Sequence, residues 1–123
     1  MTSHSYERRR FSFLKTVTSD FTQDIKLESS WFMDLHIEIL SSDRVSVTHY
    51  YEANWDLVPD PDVVFLLKKD LNFVIPLSYQ DSFIYYETYT DNEFKNFNTW
   101  KLDILEKFTK LWFRNLKSQW FIS

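Results

Sequence analysis

The stretch Met33–Tyr51, MDLHIEILSSDRVSVTHYY, decides the fold of this chain. Met33, Leu35, Ile37 and Ile39 alternate with Asp34, His36 and Glu38, and a period of two places the apolar side chains on one face of a half-buried strand. Ser41, Ser42 and Asp43 supply a turn. Val45, Val47, His49 and Tyr51 then share one face of a second strand, with Ser46, Thr48 and Tyr50 opposite. Consecutive strands with so short a connection favour an antiparallel sheet.

Upstream, Leu14, Val17, Phe21 and Ile25 recur at three- and four-residue steps, which predicts a helix over 6–28 despite the weak helix formers Thr16, Thr18, Ser19 and Thr22. The two strands are placed at 31–40 and 44–52. Downstream, Asn54–Asp62 contains Pro59, Pro61 and the aspartates Asp56, Asp60 and Asp62, and reads as a loop. Further strands are expected at 63–69, 72–77 and 83–89. Thr90 and Glu93 have capping-box spacing and open a helix over 91–118. In that helix Phe94, Phe97, Trp100, Ile104, Leu105, Phe108, Leu111, Trp112 and Leu116 read as one apolar stripe. The expected architecture is a single α+β domain over 1–123. A four- or five-stranded antiparallel sheet is flanked by an N-terminal helix and a long C-terminal helix, both on one face.

Composition narrows the function by exclusion. The chain has 123 residues and no glycine, whereas average usage predicts about nine. Phosphate-cradling loops, dinucleotide-binding loops and the G-x-S-x-G nucleophile elbow all depend on glycine, so those enzyme classes lose support together. Hydrophobic residues make up 44% and aromatics 20% of the chain, enough for one real core. Without cysteine there is neither a disulfide framework nor a thiolate metal site. No apolar run approaches the ~20 residues that span a bilayer, and the polar, arginine-bearing start lacks the apolar region of a signal peptide. The expectation is a soluble cytoplasmic protein with no membrane association and no cofactor.

A formal net charge of −4 conceals an uneven distribution. Residues 52–93 hold nine acids against Lys68 and Lys69, while residues 94–123 hold six bases and two acids. An acidic middle beside a basic tail can steer a charged partner, although solvated faces of an ordinary domain are the favoured account. His49, Glu52, Asp56 and Asp60 are the residues on which a hard cation or acid–base chemistry would rest. Their spacing matches neither an EF-hand nor an H-E-x-x-H helix, and Asp and Pro are ordinary turn residues, so no metal ligand or catalytic residue is assigned.

In the last helix Lys107, Lys110, Arg114 and Lys117 lie within roughly 80° of one another and form a row that can track phosphates. Asp103 and Glu106 stand four residues before Lys107 and Lys110, so exposed ion pairs are the favoured reading of this row. Arg8, Arg9 and Arg10 form a second basic cluster. Leu102, Phe113 and Trp120 fall on the flank of the helix, either as a partner-binding patch or packed beneath the first helix.

Three segments carry a resemblance. His49-Tyr50-Tyr51-Glu52-Ala53-Asn54-Trp55-Asp56-Leu57 followed by Asp60-Pro61-Asp62 resembles a pattern of histidine, aromatic, Asn-Gly-Asp-Leu and an Asp-Pro acid. Pro76, Tyr79 and Asp81 resemble its Pro-x-x-Tyr-x-x-Asp segment, and Trp112–Phe121 is similar to its closing Trp-x-Arg-Asn-Ile-x-x-Gln-Gly-Phe. The chain thereby resembles a family of small uncharacterised proteins carried by bacterial plasmids, phages and integrative elements, often beside anti-restriction genes. Trp55 and Trp120 stand where the pattern has glycine. A tryptophan at a position needing φ > 0 is strained, unless the backbone differs or Asn54 takes the left-handed place.

The resemblance and the charge map together imply a non-catalytic counter-defence protein of a mobile element, of anti-CRISPR or anti-restriction type. Its partner would be a host defence nuclease or its complex, bound through Trp55, Asp56, Asp60, Asp62, Phe113 and Trp120. Ranked below it is a nucleic-acid-binding accessory for element transfer, using Arg8, Arg9, Arg10, Lys107, Lys110, Arg114 and Lys117. A metal-dependent hydrolase at His49, Glu52, Asp56 and Asp60 comes third.

Overall fold

The computed structural model describes residues 5–28 and 33–120, with side chains for 8–28, 33–51 and 54–116. Helix α1 spans Ser5–Val17. The strands are β1 (Ile25–Leu27), β2 (Leu35–Ser41), β3 (Arg44–Ala53), β4 (Asp56–Lys68), β5 (Phe73–Gln80) and β6 (Tyr85–Glu87), and α2 spans Thr99–Trp120. All strand pairings are antiparallel, and the sheet follows chain order from β1 to β6 as a meander. The α+β class and the antiparallel sheet agree with the sequence reading. Among the described residues six strands replace the expected four or five.

The additional strand is β1, which the periodicity had merged into the first helix. Helix α1 stops at Val17 because Thr18 turns its hydroxyl back to the Leu14 carbonyl at 2.6 Å and accepts the Phe21 N–H at 2.9 Å. Asp20 N–H reaches the Lys15 carbonyl and Ser19 N–H the Thr16 carbonyl, the paired bonds of a Schellman stop whose left-handed residue is usually glycine. Here Ser19, Asp20 and Phe21 take φ of 52°, 61° and 60°. Phe21 folds back into the core against Phe11, and Ile25 and Leu27 then pair with Ile37 and Leu35.

One face of the sheet carries the core. Leu35, Ile37, Val45, Val47, Val63, Phe65, Leu67 and Val74 form one buried cluster with Phe11 and Leu14 of α1 and with Leu105, Trp112, Phe113 and Leu116 of α2. Both helices therefore cover the same face, as expected. Full burial of such aliphatic and aromatic side chains is worth about 2 kcal/mol each. Proline is accommodated at register breaks: Pro76 pairs with Phe65 where Leu77 is extra in β5, and Asp60 and Pro61 stand unpaired opposite His49.

Two further boundaries differ from expectation. Asn54–Asp62 is not a loop, since only Asn54 and Trp55 turn the chain and β4 begins at Asp56. The capping-box residues Thr90 and Glu93 do not open α2. Asp91 instead accepts the Lys95 and Asn96 N–H groups, and Asn98 caps the helix by accepting the Lys101 N–H at 3.0 Å. The apolar residues of α2 also divide. Leu105, Trp112 and Leu116 are buried, whereas Trp100, Ile104 and Leu111 face solvent. Among the described residues no helix is long and apolar enough to cross a membrane.

Candidate partner-binding surface

The β3–β4 hairpin extends past its neighbours. Strand β2 starts opposite His49 and β5 ends opposite Asp62, so Tyr50–Ala53 and Asp56–Pro61 continue as a two-stranded arm. Four paired residues, Tyr50–Ala53 against Asp56–Pro59, reach about 13 Å. At its tip Asn54 and Trp55 have φ of 53° and 73°. Two consecutive left-handed residues closing a two-residue hairpin are the pattern of a type I′ turn, for which Asn-Gly is the least strained choice. Asn54 satisfies the first half of that preference; Trp55 replaces the glycine and is 97% exposed.

A second loop sits at the same end of the sheet, because the meander returns every other turn to one edge. Its organiser is Asp81, which accepts the N–H groups of Phe83 and Ile84 at 2.8 and 2.9 Å and the Tyr79 hydroxyl at 2.7 Å. Those bonds, Phe83 first, hold the Asp81 carboxyl below its ordinary range. The Tyr51 and Ser82 hydroxyls, 2.6 Å apart, tie this loop to the hairpin arm. Phe83 at its crest is 93% exposed, and Leu57 and Ile84 are exposed as well. One end of the sheet thus presents Trp55, Leu57, Phe83 and Ile84 beside the carboxylates of Asp56, Asp60 and Asp81. Leu57 and Phe83 escaped the sequence reading because Leu57 fell in an assigned loop and Phe83 in an assigned strand. The readable signal was Asn54 followed by one residue between two strand patterns.

Asp56 is exposed next to the tip and Asp60 is half-buried at the bulge. Asp62 lies lower, on the sheet face opposite the core, where the Thr48 hydroxyl donates to it at 2.9 Å. Burial raises the Asp62 carboxyl pKa, and the Thr48 bond only partly opposes this. His49 is a core histidine: its Nδ1 lies 3.2 Å from the Asp34 carbonyl and its ring packs 5.7 Å from Trp112. Burial lowers its pKa, against the raising effect of the Asp34 and Met33 carbonyls and of Asp60. Glu52's side chain lies outside the described residues. Among the described residues no three His, Asp or Glu side chains converge as metal ligands.

The basic clusters separate. Arg8 and Arg9 are exposed, but Arg10 is 3% exposed and joins the two helices. Its guanidinium donates to Glu106 and to the Thr109 hydroxyl and lies over the Phe65 ring. Glu106 is thus tied to Arg10 in the helix–helix contact, and Lys107 pairs with Asp103 at 3.0 Å as expected. Arg114 is exposed and Lys110 half-buried. Phe113, expected on a partner surface, is 7% exposed and wedged among Phe13, Phe65 and Trp112. It is a core residue, because the α1 packing covers that flank of α2. The side chains of Lys117 and Trp120 lie outside the described residues.

No curated protein and no solved structure matches the chain. A family described as a domain of unknown function (DUF6908) matches residues 10–122, from α1 past the end of α2. The chain belongs to that DUF6908 family.

Proposed function

We propose that this protein is a non-catalytic counter-defence factor of a mobile element, which inhibits a host nuclease complex by occupying a basic surface on it. The observation that carries the binding reading is Trp55, fully presented at the tip of an extended hairpin in a backbone position that glycine would fill with less strain. Exposed tryptophan is the residue type most enriched among interface anchors. Asp56 adjoins it, and Asp60 and Asp81 add negative charge at the same end of the sheet, which suits a nucleic-acid-binding groove rich in Lys and Arg. The mobile-element setting rests on the resemblance over residues 45–121.

The nucleic-acid alternative retains Arg8, Arg9 and Arg114 but loses Arg10 to the helix–helix contact. The hydrolase alternative loses its imidazole to the core. Co-elution and cleavage assays against a panel of CRISPR and restriction nucleases test the proposal. One member should bind and be inhibited, and Trp55→Ala should weaken that complex by about 30-fold or more. Unaffected cleavage and no co-elution across the panel would overturn it.

A further inference from the structure

On α2, Trp100, Ile104 and Leu111 fall within roughly 40° of one another at 100° per residue. They occupy the side turned away from the buried Leu105, Thr109, Trp112 and Leu116, and Trp100 is 71% exposed. About 16 Å of helix separates Trp100 from Leu111. Single exposed apolar residues are normal, whereas three in line on a helix already packed on its opposite face indicate a covered surface.

We propose that a second copy of this chain covers it, the two α2 helices lying antiparallel about a twofold axis. The face is complementary to itself in that arrangement. Setting Ile104 against Leu111 of the second copy fixes the axis between Lys107 and Phe108 and satisfies both apolar contacts at once. Trp100 then stands level with Asn115 of the second copy, about 1.5 Å in height from Arg114, so each exposed indole meets a guanidinium. Asp103 and Arg114 lie on the same flank and come within about 3 Å of equal height across the axis. The Lys107 pair beside the axis is already neutralised in part, since each lysine bridges Asp103 of its own helix at 3.0 Å. Antiparallel helices also oppose their macrodipoles favourably. Phosphates along the same basic row would leave Trp100, Ile104 and Leu111 in water, which favours a protein occupant.

The dimer does not use the Trp55 hairpin and exposes two copies of it. Its test needs no nuclease, so its failure is distinct from failure of the proposed inhibition. Sedimentation of the full chain across a concentration series is expected to show reversible dimerisation. Leu111→Asp should remain monomeric throughout with unchanged helical circular dichroism, Trp100→Ala should weaken the dimer by about tenfold, and Trp55→Ala should leave it unaltered. The chain has no cysteine, so Ile104→Cys/Leu111→Cys should oxidise cleanly to a covalent dimer. A wild-type monomer at up to about 1 mM, a dimer surviving in Leu111→Asp, or no cross-linked dimer from the double-cysteine chain would overturn the assignment. So would a monomer that binds a DNA oligonucleotide through Trp100.

Discussion

Phe21 and Trp55 are two aromatic residues in the same uncomfortable backbone region, with φ of 60° and 73°. Each strains the chain by roughly 1 kcal/mol relative to glycine. Their surroundings differ completely. Phe21 is buried, with its ring 5.2 Å from Phe11 and the Lys69 ammonium over its face. Its packing offsets the strain several times over. Trp55 is 97% exposed and buries almost none of its ring against the described residues. Strain returned by the core is structural; strain not returned inside the molecule is consistent with a contact made outside it.

That contrast can be broken by glycine substitution at each site. Phe21→Gly should destabilise the fold by about 3 kcal/mol, the loss of a core ring outweighing the relieved strain, as read from a denaturant midpoint. Arg10→Ala should cost about 2 kcal/mol, because Glu106 and Thr109 lose a buried partner. Arg8→Ala, in the same sequence cluster but exposed, should change stability by less than about 0.5 kcal/mol. Trp55→Gly should act in the opposite sense and stabilise by about 1 kcal/mol, since it completes the Asn-Gly pair of a type I′ turn. A destabilised Trp55→Gly would mean that the ring supports the hairpin, and the contrast would fail.

The smallest effect expected is with pH. Burial depresses the His49 pKa in the folded state, so the unfolded chain takes up that proton first. The stability contributed is complete above the ordinary histidine value near 6.5 and declines as pH falls from there through the lower folded-state pKa. Denaturant midpoints of wild type and His49→Asn across that interval should differ in slope, with the variant flatter.

The candidate site was legible only in part. Trp55 was recognisable as a residue at a glycine position, after Asn54, but prolines at 59 and 61 argued for a loop around them. A strand tolerates those prolines because the arm lies beyond β5 and because the bulge opposite His49 leaves Pro61 with no ladder bond to make. Phe113 belonged equally to a flank patch or a helix–helix core until α1 was placed. Arg10 looked like a surface charge until its partners, Glu106 and Thr109, arrived from nearly a hundred residues away.

What the sequence determined by itself was local and periodic: the alternation through Met33–Tyr51, the antiparallel pairing that follows from short connections, and the presence of two amphipathic helices. These depend on side-chain direction within a few residues of chain. Tertiary structure alone decided which of two apolar lines on α2 is buried, and that Trp55 is presented while Phe113 is not. Each of those outcomes depends on which distant surface competes for a side chain, and a helix with apolar residues on both sides holds no local signal that selects one.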